Sequence, residues 1–459
     1  MLQSPARRHL KDLATRAKNS NAARRVVMPL LVRFPTLPGR ILTLAQRLLG
    51  HRAHRDWVTA CAASRPPLGQ RQLLVDISAV AQNDIKTGIQ RVVRSILLAL
   101  IKHPPAGFCV EPVYASGVQR RYRYARGFTH ALLGLEGTAA ADTPIAYQGG
   151  DSYLGLDLAV FSTMNNRDML DDMRSKGVAV HFVVYDILPL LQPEVFLYGS
   201  PKYFGSYILA IARHADGIVC ISRAVADELA AWLEVHAAAR TTPLKIGYFH
   251  LGADLAASAP SSGLPADAAQ VLASMKARPS LLMVGTLEPR KSHAQALAAF
   301  ELLWRDGVDV NLVIVGKQGW AVDAVAAALR AHPELGKKLF WLAGASDQML
   351  TDVYSHASAL LAASTGEGFG LPLIEAAQHG VPILARGLPV FREVSGAHAF
   401  YFDGTDAAQL ATAVKAWLDL HRQGLAPSSA GLPWLTWSQS AQQLVDTVVH
   451  AHWYRQLPK

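Results

Sequence analysis

The chain has 459 residues, of which 51% are hydrophobic and 17% charged. That is a globular composition long enough for two or three domains, and it excludes both a single small module and a largely disordered chain. The formal net charge of +10 is unevenly placed: thirteen of the 45 Lys and Arg residues but only Asp12 and Asp56 of the 35 acids fall in residues 1–70, so this segment carries +11 and the other 389 residues carry −1.

Cys61, Cys109 and Cys220 are far apart, with no CxxC or Cys/His ligand spacing. A disulfide framework and a structural zinc site are therefore not expected, and a reducing compartment fits. There is no run of about 18 consecutive apolar residues and no secretory h-region at the start, so the expectation is a cytoplasmic protein. The first 30 residues are Arg-rich and acid-poor, as organellar transit peptides are, a composition that many other segments share.

In chain order, residues 1–70 read as a basic extension. Within it RILTLAQRLLG (40–50) places Ile41, Leu42, Leu44, Ala45, Leu48 and Leu49 on one helical face, with Arg40 and Arg47 off it and Pro38, Gly39 and Gly50 at its bounds. Such a face suits an anionic membrane surface or packing on the body of the protein. Only Phe34 and Trp57 supply aromatic rings there, too few for a nucleic-acid stacking platform.

From residue 71 onward apolar β-type runs alternate with helical patterns, the signature of βαβ units on parallel sheets. LLVDISAV (73–80) reads as a strand, TGIQRVVRSILLALI (87–101) as a helix, VAVHFVVYDI (178–187) and DGIVCIS (216–222) as strands, with a helix from Arg223. ASAPSSGLPADAA, after HLGAD (250–254), reads as a linker. Beyond it the alternation restarts with SLLMVGT (280–286), a helix through HAQALAAFELLWRDG, then NLVIVG (311–316), LFWLAG (339–344), ALLAAS (359–364) and VPILAR (381–386). The expected class is α/β, with two halves each built on a parallel sheet, residues 71–262 and 263–435. Ligands in such sheets sit at the carboxyl ends of strands.

Three segments could carry chemistry. STGEGFGLPLIEAAQHGVPILAR (364–386) has Gly366, Gly368 and Gly370 before a helix with Pro372 in its first turn and Gly380 at its end. A loop of this kind aims backbone N–H groups and the positive end of a helix at an anion, while Glu375, eight residues after Glu367, could bind a diol such as a ribose. The plainer alternative is a Gly-rich turn with two solvated glutamates. VGTLEPRKSH (284–293) nearly matches a phosphate loop, with Gly285, Lys291 and Ser292 in place, but Arg290 occupies the second glycine position and rules out the nucleoside triphosphatase reading. Arg290 and Lys291 side by side at a strand end could neutralise a diphosphate; as bare cations at a helix start they would be unfavourable. In NDIKTGIQRVVR (83–94), Gly88 lies between a strand and a helix carrying Arg91 and Arg94. Asp151 and Asp186 each read as following a strand-like run, and each is equally a helix cap or a catalyst. No DxD pair or histidine cluster suggests a metal, and His250 reads as structural.

Together these segments resemble retaining glycosyltransferases of family 4, which have the GT-B fold of two facing Rossmann-like domains. The matches are VGTLEPRKSH, the run GEGFGLPLIEAAQHGVPILARGLPVFREV and the Glu-x7-Glu pair Glu367 and Glu375. DISAVAQNDIKTGIQRVVRSI, VVYDILPL, ADGIVCISRAVADEL and HLGADL are similar to a bacterial subgroup linked to O-antigen and surface-polysaccharide assembly. The resemblance spans residues 71–425, and TWSQSAQQLVDTVVHAHW (436–453) resembles the last helix that crosses back to the first domain.

The resemblance implies transfer of a hexose, with GDP-mannose or a GDP-deoxyhexose favoured as donor, to a glycan or lipid-linked glycan, with the anomeric configuration retained and no metal cofactor. Arg290 and Lys291 would hold the diphosphate, and the backbone of Gly368, Phe369, Gly370 and Leu371 would contact phosphate and sugar. Glu375 would bind the ribose, Glu367 the transferred sugar, Gly88 would admit the diphosphate to the first domain's loop, and Asp186 would lie beside the sugar. Tyr185 stands where many relatives have His, and Thr286 where many have Arg. The competing reading is a GT-B protein that binds sugar or nucleotide without transferring it; the intact Glu367, Glu375, Arg290 and Lys291 oppose it.

Overall fold

The computed structural model describes residues 70–458 apart from 85–86, 116–120, 198, 238–239 and 255–260. The basic extension, with its expected amphipathic helix at 40–50, and part of the expected linker lie outside the described residues. The chain divides into two compact units between Phe182 and Val183.

The first unit is built on β1 (Arg71–Asp76), β2 (Phe108–Tyr114), β3 (Arg123–Tyr124), β4 (Ser152–Gly155) and β5 (Ala179–Val184). They pair in the order β5-β4-β1-β2-β3, parallel throughout except for the antiparallel β3. Strand β1 ends earlier than expected, because Asp76 turns the chain. Its carboxylate accepts the Ser78 N–H at 2.8 Å and the hydroxyls of Tyr153 and Tyr122 at 2.7 and 3.0 Å, and Asp157 accepts the Val80 N–H at 2.7 Å. Residues Ser78–Gln82 are thereby wound into a short helix. Helix Gly88–Lys102 is started by a capping box, Thr87 and Gln90 exchanging hydrogen bonds of 3.3 Å, and buries Val92, Val93, Ile96, Leu97 and Leu100 along one stripe.

Asp151 corrects a sequence expectation. It precedes β4 rather than following a strand, and its buried carboxylate accepts the Gln72 and Gln148 N–H groups at 2.7 and 2.9 Å. All of its described partners serve local structure.

The second unit contains β6 (Gly217–Cys220), β7 (Leu244–Tyr248), β8 (Ser280–Val284), β9 (Asn311–Val315), β10 (Leu339–Leu342), β11 (Ala359–Ala362), β12 (Ile383–Arg386), β13 (Ala399–Phe402) and β14 (Arg455–Leu457). β6 runs parallel to β7, which takes β14 as an antiparallel edge. The short strands β3 and β14 are thus the departures from the expected all-parallel sheets. Strands β8 to β13 form a parallel six-stranded sheet in the order β10-β9-β8-β11-β12-β13. Their near-continuous apolar sequences follow from burial on both faces. Phe300 and Leu303 of helix His293–Arg305 and Trp417 and Val414 of helix Ala407–Arg422 pack with Leu281, Leu312, Leu361 and Leu384 in one core. Helix Trp437–Val448 lies on β6 and β7, anchored by Trp437 N–H to Asp254 at 2.6 Å and Ser440 Oγ to the His250 carbonyl at 2.6 Å.

The strand order determines where a ligand can bind. From β8 the chain adds β9 and β10 on one side, then returns to place β11, β12 and β13 on the other. The crevice outside the carboxyl ends of β8 and β11 is a topological switch point.

Candidate active site

The two motif loops emerge at that switch point, one after β8 and one after β11. The Thr365 N–H donates to the Arg290 carbonyl at 2.8 Å and ties them together. Pro289–Lys291 form a single 3-10 turn, and Ser292, at φ 59°, redirects the chain into helix His293–Arg305.

This geometry gathers Arg290, Lys291 and Glu367. Arg290 donates to Glu367 Oε2 at 2.9 Å and to the Gly366 carbonyl at 3.1 Å, and its Nε pairs with Glu288 Oε2 at 2.9 Å. Lys291 Nζ pairs with Glu367 Oε1, which also accepts the Ser364 hydroxyl at 2.7 Å. Burial opposes ionisation of Glu367, but Lys291 and Arg290 outweigh it and hold the carboxyl down at about 2. Desolvation likewise works against the Arg290 cation, and Glu367, Glu288 and Asp186 overcome it. Glu288 and Asp186 are both raised by burial, with Arg290 opposing the shift in each. The result is two basic side chains, Arg290 and Lys291, gathered on one ionised carboxylate.

Asp186 follows β5, and its Oδ1 accepts the Leu188 N–H at 3.1 Å, just before the short helix Leu188–Leu191. Arg290, Glu367 and Lys291 all lie within its electrostatic reach.

The glycine loop packs against this same stretch of chain. A Cβ at Gly368 would overlap the Tyr185 carbonyl oxygen, and one at Gly366 would meet Leu188 Cδ2 at 2.6 Å. The Ser222 hydroxyl donates to the Gly368 carbonyl at 2.8 Å, and Gln192 donates to the Thr365 carbonyl at 2.9 Å. Both glycines are therefore already required by the protein's own packing. Gly370, at φ 97°, is the left-handed residue that opens helix Leu371–Gln378, whose start has no side-chain cap. Phe369 is buried, its ring 5.5 Å from that of His250. Glu375 is buried on the same helix and accepts the Tyr354 hydroxyl at 3.0 Å. His250 holds Glu393 at 2.7 Å, as a structural histidine would, while Glu393 also accepts the Arg223 and Ala224 N–H groups at 2.7 and 2.8 Å.

Gly88 belongs to the first unit. There it opens helix Gly88–Lys102, and a Cβ would meet no atom within 4 Å. Sequence reasoning passed over Glu288 and Ser364, although both adjoin the motifs; an acid two residues before Arg290 was the available signal. Among the described residues, no group of three or more His, Cys, Asp or Glu side chains is placed to hold a metal ion.

Residues 267–427, which contain both motif loops, match the family described as glycosyl transferases group 1. Across 380 residues, 82% of the chain, the sequence is 48% identical to the Escherichia coli serotype-specific mannosyltransferase WbdA, of which the match covers 45%. Over 244 residues it is 25% identical to the O-antigen chain mannosyltransferase RfbU of Salmonella typhimurium, covering 53% of this chain and 61% of that one. The chain spans about half the length of the WbdA relatives it matches. Among solved structures, sucrose-phosphate synthase from Thermosynechococcus elongatus superposes with a TM-score of 0.58 at 17% identity, over 83% of this chain and 99% of that one. Anabaena Alr3699/HepE in complex with UDP-glucose superposes with a TM-score of 0.52 at 12% identity, over 82% and 95%. These likenesses are of fold, and they agree with the α/β class of two parallel-sheet halves expected from the sequence.

Proposed function

We propose that the chain is a retaining mannosyltransferase that moves mannose from a nucleotide diphosphate sugar, GDP-mannose in the first instance, to a glycan or lipid-linked glycan in surface-polysaccharide assembly. The observation that carries this reading is the pairing of Arg290 and Lys291 on Glu367 at the switch point. The names of the mannosyltransferase relatives support the sugar. In this reading Arg290, Lys291 and the backbone of Gly368, Phe369, Gly370 and Leu371 hold the diphosphate, Glu375 takes the ribose, and Gly88 admits the diphosphate from its own loop. Glu367 and Asp186 face the transferred sugar.

As the glycosidic bond breaks, negative charge grows on the β-phosphate and positive charge on the sugar. Arg290, Lys291 and the start of helix Leu371–Gln378 stabilise the first, each preorganised donor being worth about 3 kcal/mol. This charge compensation does not call on a metal ion. The departing phosphate accepts the acceptor's proton, so no protein base is needed, and attack from the face it leaves retains the anomeric configuration.

The test is incubation of the full chain with a panel of nucleotide sugars and a mannan-type acceptor. Release of GDP from GDP-mannose and an α-linked product by NMR are expected. Release from no nucleotide sugar would overturn the proposal, and binding without release would indicate a protein that does not transfer. The basic residues 1–70 are proposed to bring the enzyme to the anionic inner face of the cytoplasmic membrane.

A further inference from the structure

His293 is the first residue of helix His293–Arg305 and is only 3% exposed. Its Nδ1 is buried without a hydrogen-bond partner. Buried polar nitrogens are normally paired, so an orphan one needs an explanation. The ring lines a small cavity together with Lys291, Ser364, Glu367, Gly370 and Pro372. This cavity lies at the uncapped start of helix Leu371–Gln378. Burial and the neighbouring Lys291 hold His293 far below its ordinary pKa, at about 3, so the ring is neutral and one nitrogen carries a proton.

The chemistry around the orphan nitrogen selects its partner. Lys291 is a cation, and the helix start presents N–H groups with the positive end of the helix dipole. Glu367 is the one acidic group on the cavity wall, and its two oxygens are engaged by Arg290, Lys291 and Ser364. The rest of the wall is largely apolar, with Leu361, Leu373 and Phe391 among it, so the polar partners on offer are Lys291, Ser364 and the helix start, a set that suits an anion with several oxygens.

We propose that His293 is a further donor-binding residue, its Nδ1–H donating to an oxygen of the donor's diphosphate. This rests on the nucleotide-sugar reading of the same site. Sequence reasoning missed it because a histidine closing VGTLEPRKSH looks like any helix-start residue, and only the fold buries it in the wall of this cavity.

Isothermal titration of the full chain with GDP and with inorganic pyrophosphate tests the proposal. His293→Leu should weaken both by about tenfold or more, as the loss of a hydrogen bond to a charged group does. His293→Asn, whose amide nitrogen approximates the position of Nδ1, should recover affinity to within about threefold of wild type, whereas His293→Gln should not. Thermal melting establishes that each variant is folded. Equal affinity of His293→Leu and wild type, or a folded His293→Asn that binds no better than His293→Leu, overturns the proposal. If wild type takes pyrophosphate but neither GDP nor another nucleoside diphosphate, the nucleotide-sugar reading falls and His293 is judged on pyrophosphate alone. If wild type takes neither, both fall.

Discussion

Glu367 receives Lys291, Arg290 and Ser364 at once, and that convergence sets its charge state. Its folded value of about 2 lies below the ordinary 4.5, so its ionisation stabilises the fold above about pH 4.5 and loses that effect as pH falls toward 2. Glu367→Gln should therefore lower the melting temperature at pH 7, and the gap from wild type should close as the pH falls from 4.5 to about 2. A gap that does not change with pH would contradict this account of the pair. Gly368 makes a second prediction at this scale. Gly368→Ala forces a methyl group into the Tyr185 carbonyl, so the loop must shift, and turnover should fall by at least about tenfold, because misplacement by about 1 Å is costly in a preorganised site. A fully active Gly368→Ala enzyme would show that the loop has slack.

Among the elements, Ser222 caps helix Arg223–His236 by accepting the Val225 N–H at 3.2 Å while donating to the Gly368 carbonyl. Ser222→Ala removes both and should cost about 1 kcal/mol in urea unfolding, typical of a lost cap. An unchanged midpoint would mean water replaces the hydroxyl in both roles. The helices were largely legible in the sequence because their signals are local. Arg223 was placed as a helix start, and the structure begins the helix at Arg223. Helix Gly88–Lys102 lies one residue from its expected span, its Thr87 cap and apolar stripe both visible in the chain. Strand β1 was overextended because what ends it, the hydroxyls of Tyr122 and Tyr153 on Asp76, comes from residues 46 and 77 positions away. The two-residue β3 and three-residue β14 are too short to show any periodicity. In the site, Arg290, Lys291 and Glu367 were named from their motifs. Their mutual pairing was not legible, since it depends on β8 and β11 being neighbours although Lys291 and Glu367 are 76 positions apart. The role of Gly366 and Gly368 in packing on residues 185–192 was hidden for the same reason.

At the scale of the whole molecule, the body is nearly neutral and residues 1–70 carry +11; in the proposed reading a few placed cations hold the donor and the extension serves location. Flotation with anionic liposomes should carry the full chain and leave residues 71–459 behind; equal flotation would sink the membrane proposal. Specific donor binding must also stabilise the fold. GDP-mannose at about 100 times its dissociation constant should add about 2.7 kcal/mol and raise the melting temperature, more than a sugar nucleotide that does not fit the site. The central claim, that Arg290 and Lys291 carry the departing diphosphate, is tested most directly by GDP release from GDP-mannose in the presence of acceptor, comparing wild type with Lys291→Ala. The account predicts at least about a hundredfold lower turnover in the variant with the fold intact, and an unchanged rate would contradict it.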